Sequence, residues 1–202
     1  MNINKLFHME FYKFNWRQYT QLMKKEEEFN ATFRNGTKKL TRSDKKDIEY
    51  IVVKTYRKYQ VNKGNLWGYI YSWKLDKLCK KTGIEFMQNC SFGPGLIIGH
   101  WGRIVINGNA KFGSQTMLTH NVTIGRDIRG KRAGAPTFGN RVVIRTNSTV
   151  TGNINIGDDV LIAPNTFVNF DVPSHSIVIG NPATIHHRIN ATEGHLGVLE
   201  NE

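Results

Sequence analysis

His100 is the residue in this 202-residue chain whose surroundings point most directly to chemistry; it stands in Gly99-His100-Trp101-Gly102-Arg103. An imidazole titrates near neutrality and can take the proton from an acceptor hydroxyl. A second histidine, His120, lies in Leu118-Thr119-His120-Asn121. It reads as surface, as a contact between copies, or as part of an acceptor pocket. The stretch Arg126 to Pro136 carries Arg126, Arg129, Lys131 and Arg132 among glycines. Four cations on a mobile loop suit phosphate groups. Cys90 could in principle carry an acyl group. Nothing in the sequence activates it, and a small buried thiol is the better reading. Neither Cys79 nor Cys90 belongs to a disulfide framework or a metal spacing. A zinc hydratase site would need three converging histidines, and the sequence brings only His100 and His120 near one another.

What positions these residues is a six-residue period. Aliphatic or aromatic residues recur at Phe92, Ile98, Ile106, Phe112, Leu118, Ile124, Phe138, Ile144, Val150, Ile156, Ile162 and Val168. Four residues after most of them sits a small or β-branched one, such as Ala110, Val122, Ser148 or Thr166. Neither a helix nor a flat strand has that period. It is the hexapeptide signature of a parallel β-helix, each hexad supplying one short strand and one turn. The period breaks twice. Ile98 to Ile106 spans eight residues and encloses His100; Ile124 to Phe138 spans fourteen and encloses the cationic loop. Insertions into a solenoid usually map to binding or catalysis.

The remaining third of the chain is different in kind. Residues 1–82 carry 19 Lys and Arg against 8 Asp and Glu, so nearly all of the net charge of +12 belongs to them. They read as three helices: Arg17 to Phe33, a second from the capping candidates Thr41 to Asp44 to about Tyr59, and Leu66 to Lys81 closed by Gly83. Their aromatics are expected to pack between helices or to lid the first coil, since a solenoid end needs covering. The domain reading is therefore 1–83 helical and basic, 84–188 β-helix, and 189–202 a flexible tail. The basic third is open to peripheral contact with an anionic membrane surface. No nucleic-acid motif accompanies the charge. No stretch of eighteen apolar residues and no signal-peptide pattern appears, so a reducing cytoplasmic setting is expected.

At residues 84–188 the sequence resembles the serine acetyltransferases and their relatives in polysaccharide gene clusters. His100-Trp101-Gly102-Arg103-Ile104-Val105-Ile106 is similar to their Asp-His-x-x-Gly-Ile-Val-Val-Gly segment. Val172-Pro173-Ser174-His175 with Gly180-Asn181-Pro182-Ala183 is similar to their Val-Pro-Pro-His and Gly-Val-Pro-Ala ending. The resemblance implies a left-handed β-helix and an O-acetyltransferase that uses acetyl-coenzyme A and no metal. His100 would be the general base, oriented by Glu85 fifteen residues before it. The implied donor contacts are Gly125, Lys131, Ala135, Arg145, Ala163, Gly180 and Arg188. The implied acceptor contacts are Trp101, His120 and Arg129. A homotrimer follows, with pairing into a hexamer through the helical cap as its extension.

The departures from that pattern set the expected acceptor. Gly99 stands where the family has an aspartate, and Gly134-Ala135 where it has Arg-His. Lacking the amino-acid clamp, the site is expected to prefer a sugar or glycan hydroxyl, stacked on Trp101, as in capsule or exopolysaccharide modification. Serine O-acetylation for cysteine biosynthesis is the alternative, and a non-catalytic binding or assembly module is the alternative of another class.

Overall fold

The protein is described from a computed structural model covering residues 9–86 and 89–196. The expectation of no signal peptide rests partly on residues 1–8, which lie outside this range. After a short 3-10 turn at Met9–Tyr12, helix α1 runs Trp16–Asn35, opened by the Asn15 side chain accepting from Gln18 N and closed by Gly36 at φ 68°. Thr41 and Asp44 do cap, but not a long helix. Thr41 N donates to Asp44 Oδ2 at 2.8 Å and Asp44 N to Thr41 Oγ1 at 3.1 Å, which closes the 3-10 turn Asp44–Lys46 on itself. Helix α2 starts only at Ile48, after the N-cap Asp47, and ends at Val61. Helix α3 spans Leu66–Thr82 between the Asn65 cap and Gly83 at φ 69°.

The strands then wind in five coils. The first holds β1 (Ile84–Phe86), β2 (Ser91–Phe92) and β3 (Ile97–Ile98). The second holds β4 (Ile104–Ile106), β5 (Lys111–Phe112) and β6 (Thr116–Leu118). The third holds β7 (Thr123–Gly125), β8 (Thr137–Phe138) and β9 (Val142–Ile144). The fourth holds β10 (Thr149–Thr151), β11 (Asn155–Ile156) and β12 (Val160–Ile162). The last has β13 (Phe167–Val168) and β14 (Ser176–Gly180), on which β15 (Ala183–His187) folds back antiparallel. Equivalent strands pair in parallel to make three faces: β1-β4-β7-β10-β13, β2-β5-β8-β11, and β3-β6-β9-β12-β14 with β15 at its end.

All twelve lead residues of the hexads are buried, and so are the small residues near the corners. On the second face Phe92, Phe112 and Phe138 stack one coil above another, with ring centroids 4.1 and 4.4 Å apart. The two-residue insertion after Ile98 is absorbed wholly in the corner. Ile98 pairs with Leu118 before it and Ile106 with Ile124 after it, so register is regained within one turn.

The helical region lids the first coil. Tyr56 stacks on Phe86 at 5.0 Å and donates its hydroxyl to Cys90 O at 3.0 Å. A fully buried ion pair ties the two regions together: Arg57 Nη2 lies 3.0 Å from Glu26 Oε2. The same guanidinium donates to Phe92 O and Gly93 O, and the carboxylate accepts from Gly95 N.

The described part of the tail, expected to be flexible, is hydrogen-bonded back onto the coils. Asp159 accepts from Ala191 N, Thr192 N and Thr192 Oγ1, and its other neighbour is His175 Nδ1 at 3.0 Å. Ala191 and Leu196 then cover the outward residues Ile97, Met117, Val143 and Leu161 of the third face. One apolar residue per coil on that outer face would otherwise meet water, and this is the physical reason that the chain folds back. Residues 197–202 lie outside the described range.

Candidate active site

Each coil turns from the third face to the first through one corner, and His100 stands at the first of these. Ile98 pairs with Leu118, and Leu118 with Ile144, so the residues just beyond them stack: Gly99, Thr119 and Arg145, then His100, His120 and Thr146. The rings of His100 and His120 lie 6.0 Å apart, edge to face. The insertion pushes this corner outward through Gly102 at φ 118° and Arg103 at φ 39°, and His100 is exposed.

His100 opens onto a cavity of about 460 Å³. Gly99, Met117, Thr119, Arg145 and Thr146 line its β-helix side. Its far wall is the junction of α1 and α2: Phe33, Arg34, Asp44 and Asp47. That wall was not legible in the sequence, because nothing local links Arg34 or Asp47 to a histidine more than fifty residues away. Arg34 Nη1 donates to Asp47 Oδ2 at 2.9 Å, joining the end of α1 to the start of α2. Hydrogen bonds from Thr41, backbone first, and from Asn35 hold the Asp44 carboxyl below its ordinary range.

The expected orienting pair is not brought together within the chain. Glu85 sits on β1 with its side chain outward, pairing in register with Val105. It lines a different cavity, with Tyr56, Ser72, Asp76 and Cys79, and no hydrogen bond joins it to His100. A spacing of fifteen falls short of the twenty residues that separate β1 from its neighbour β4. Strand pairing therefore puts Glu85 against Val105, while His100 belongs to the corner before it.

The expected donor contacts fall on two corners. Arg145, Ala163 and Gly180 lie on or next to the His100 corner, where Arg145 N donates to Ile162 O and Ala163 N to Val178 O. Gly125, Lys131 and Ala135 belong to the corner between the first and second faces. The loop there is braced by hydrogen bonds at its base. Asp127 and Gly134 exchange both backbone hydrogen bonds, Asp127 Oδ1 accepts from Thr151 Oγ1, and Asn153 N donates to Arg132 O. Its tip stays in solvent, with Ile128 83% exposed and Arg129, Lys131 and Arg132 exposed beside it. Arg188 follows β15 and is exposed, its N–H donating to His175 O. Trp101 is 53% exposed and packs on no part of the helical region that any ring contact shows. Cys90 is buried, and desolvation pushes its thiol up to about 12, which removes it as a nucleophile. No cluster of three or more potential metal ligands exists among the described residues, and no helix among them is long and apolar enough to cross a membrane.

Fold and repeat together define a hexapeptide-repeat parallel β-helix with an N-terminal helical region. The solved structures it resembles include serine acetyltransferases. The Vibrio cholerae enzyme superposes with a TM-score of 0.74 at 19% identity, covering 90% of this chain and 70% of the other. Isoform 3 of Entamoeba histolytica, in complex with cysteine, gives 0.67 at 24% identity, covering 82% and 59%. In sequence, the serine acetyltransferase of Helicobacter pylori strain 26695 is 38% identical over 102 residues, which are 50% of this chain and 60% of the relative. That of Synechococcus elongatus is 36% identical over 109 residues, 53% of this chain and 44% of the relative. The chain thus spans about half the length of the curated relatives it matches. No family model matches it. The expected polysaccharide role finds no support among these relatives, whose names all point to serine.

Proposed function

We propose that the protein is an acetyl-coenzyme A-dependent O-acetyltransferase of the serine acetyltransferase type, with a small hydroxyl compound such as L-serine as acceptor. The observation that carries this is His100, exposed on the one corner that the two-residue insertion pushes out and facing a cavity of substrate size. The chain's 38% identity over 102 residues to a serine acetyltransferase supports the same reading.

His100 takes the proton of the acceptor hydroxyl as its oxygen attacks the thioester carbonyl. The tetrahedral intermediate collapses with expulsion of the thiolate, which leaves with that proton as free coenzyme A. Transfer is direct, since Cys90 is buried and its thiol is held protonated. Exposed cations at Arg126, Arg129, Lys131 and Arg132 suit the phosphates of the donor. The donor residues occupy two corners of one prism, so one copy cannot close them around a single ligand. A closed homotrimer, in which the loop of one copy meets the His100 corner of the next, resolves this.

Thiol release from acetyl-coenzyme A tests the reading. L-serine is expected to support turnover well above the rate without acceptor. A carbohydrate acceptor is favoured by one observation, the open Trp101 indole beside His100, so hexoses and aminosugars belong in the same assay. Absence of turnover with every hydroxyl compound would leave only a binding module.

A further inference from the structure

A surface helix ordinarily shows one apolar stripe, turned to the core, with polar residues behind it. Helix α3 keeps that inner stripe: Gly68, Leu75 and Thr82 are buried, and Leu78 and Cys79 pack against the core of the coils. Over its first half the opposite side is apolar too. Tyr69 is 55% exposed and Trp73 57%, with Ile70 half-buried between them. Tyr12, 48% exposed, extends the patch, since the Phe11 ring contacts both the Tyr12 and the Tyr69 rings. From Lys74 onward the same helix is cationic, with four lysines against one aspartate. All four are exposed, and Asp76 is already paired with Lys80 at 2.8 Å. Lys77 Nζ lies 3.8 Å from the centroid of the Trp73 ring, so apolar surface and positive charge meet at one point. None of these residues lines the His100 cavity.

We infer that this face of α3 docks on a membrane surface rich in anionic lipid. Tyr and Trp carry an apolar body and a polar tip, which suits them to the boundary between acyl chains and headgroups. Lysines reach past such rings on apolar stems and leave the ammonium at the level of the lipid phosphates. The contact is peripheral, because the inner side of α3 stays covered by the coils. Charge decides between occupants. A second copy meeting the same patch would set one surplus of positive charge against another. An anionic lipid surface offers the opposite sign, and the helical region carries nearly all of the chain's net charge of +12. Docking of this kind does not depend on the transfer reaction, and either can fail without the other.

Vesicle binding of the full chain tests this. The protein is sedimented with large unilamellar vesicles of phosphatidylcholine mixed in equal parts with phosphatidylglycerol, and with vesicles of phosphatidylcholine alone. Wild type is expected to pellet with the mixed vesicles, to stay in solution with the neutral ones, and to be released by high salt. Brominated acyl chains should quench the tryptophan emission of wild type, and that of Trp73→Phe less. Lys77→Gln combined with Lys81→Gln should weaken partitioning roughly 25-fold, about fivefold for each lysine near the surface. Tyr69→Ser combined with Trp73→Ser should weaken it at least about tenfold, from the apolar area of two half-exposed rings. Both pairs lie on the surface, so the melting curve should match wild type. Ile189→Ser, at an apolar site elsewhere that is 72% exposed, should leave vesicle binding unchanged. Failure of wild type to bind the mixed vesicles overturns the inference, as does binding that survives the loss of either pair. If Tyr69→Ser with Trp73→Ser instead lowers the assembly mass in light scattering, the face joins copies of the chain and the membrane assignment is wrong.

Discussion

The β-helix and the helical region that lids it are stabilised in opposite ways. In the β-helix, burial is repeated: each coil places the same kind of side chain on the same three faces, and Phe92, Phe112 and Phe138 differ only in their height on the stack. In the helical region the decisive contact occurs once. Arg57 and Glu26, both without solvent exposure, hold α1, α2 and the first coil with four hydrogen bonds and one further ion-pair contact. A repeated core spreads its stability over nearest neighbours, whereas a single ionic rivet concentrates it. The site shares that division. The β-helix contributes His100, the proposed base, and the helical region contributes the wall that faces it.

The division can be broken from either side, the largest effect coming from the site itself. His100→Ala should lower turnover roughly 10²- to 10⁴-fold, the usual contribution of a positioned base, with an unchanged melting curve. Retention of more than about a tenth of the rate would take His100 out of the mechanism. Arg57→Met should cost about 3–5 kcal/mol, because Glu26 is left as a buried charge without its partner. Urea unfolding should show it, with the helical signal lost before the β signal. A single unchanged transition would mean that the rivet is dispensable.

Within the stack, Ile144→Val removes one methylene from a fully buried site and should cost about 0.5–1.5 kcal/mol. A loss as large as that of Arg57→Met would contradict the spread of stability along the solenoid. The smallest effect concerns the tail. Burial alone would raise the Asp159 carboxyl, but hydrogen bonds from Thr192, His175 and Ala191 outweigh it and hold it below its ordinary value of 3.8. A lowered carboxyl contributes stability above the unfolded value, and the contribution fades as pH falls through the lowered one. Residues 190–196 should therefore lose hydrogen-exchange protection below about pH 3.8 while the coils keep theirs. Asp159→Asn should release them at neutral pH. Tail protection that does not change with pH would assign the latch to Leu196 packing alone.

How much of this the sequence shows follows from the range of each interaction. The hexads are legible because every coil repeats one local rule, so the inward lead residues follow from spacing, while the buried outward residues Ile97, Met117, Val143 and Leu161 do not. Gly83 as a helix end is legible for the same reason, since a left-handed residue after a helix favours glycine. His100 stands out because the period breaks around it. The pairing of Glu85 with His100 does not follow from their spacing, because the first coil spends twenty residues between β1 and β4. Arg34, Asp47 and the cavity wall they form depend on how α1 and α2 dock, which no short-range pattern encodes. The tail looked frayed because its anchor is Asp159, some thirty residues earlier and ordinary in its own hexad.

The reversal at the end of the last coil has a consequence for how copies of the chain behave in a crowded solution. A parallel solenoid is by construction a template: its terminal coil exposes a row of backbone donors and acceptors onto which another copy could add, and from there a filament could grow. Here β15 turns back and pairs antiparallel with β14, satisfying that edge on the third face. Its own outer side presents His186 and His187, with Arg188 following, all exposed. The opposite end is shut by Tyr56 and the helices around it. Strand addition onto β14 is thus blocked on the third face, while β13 and β11 remain the last strands of the other two faces.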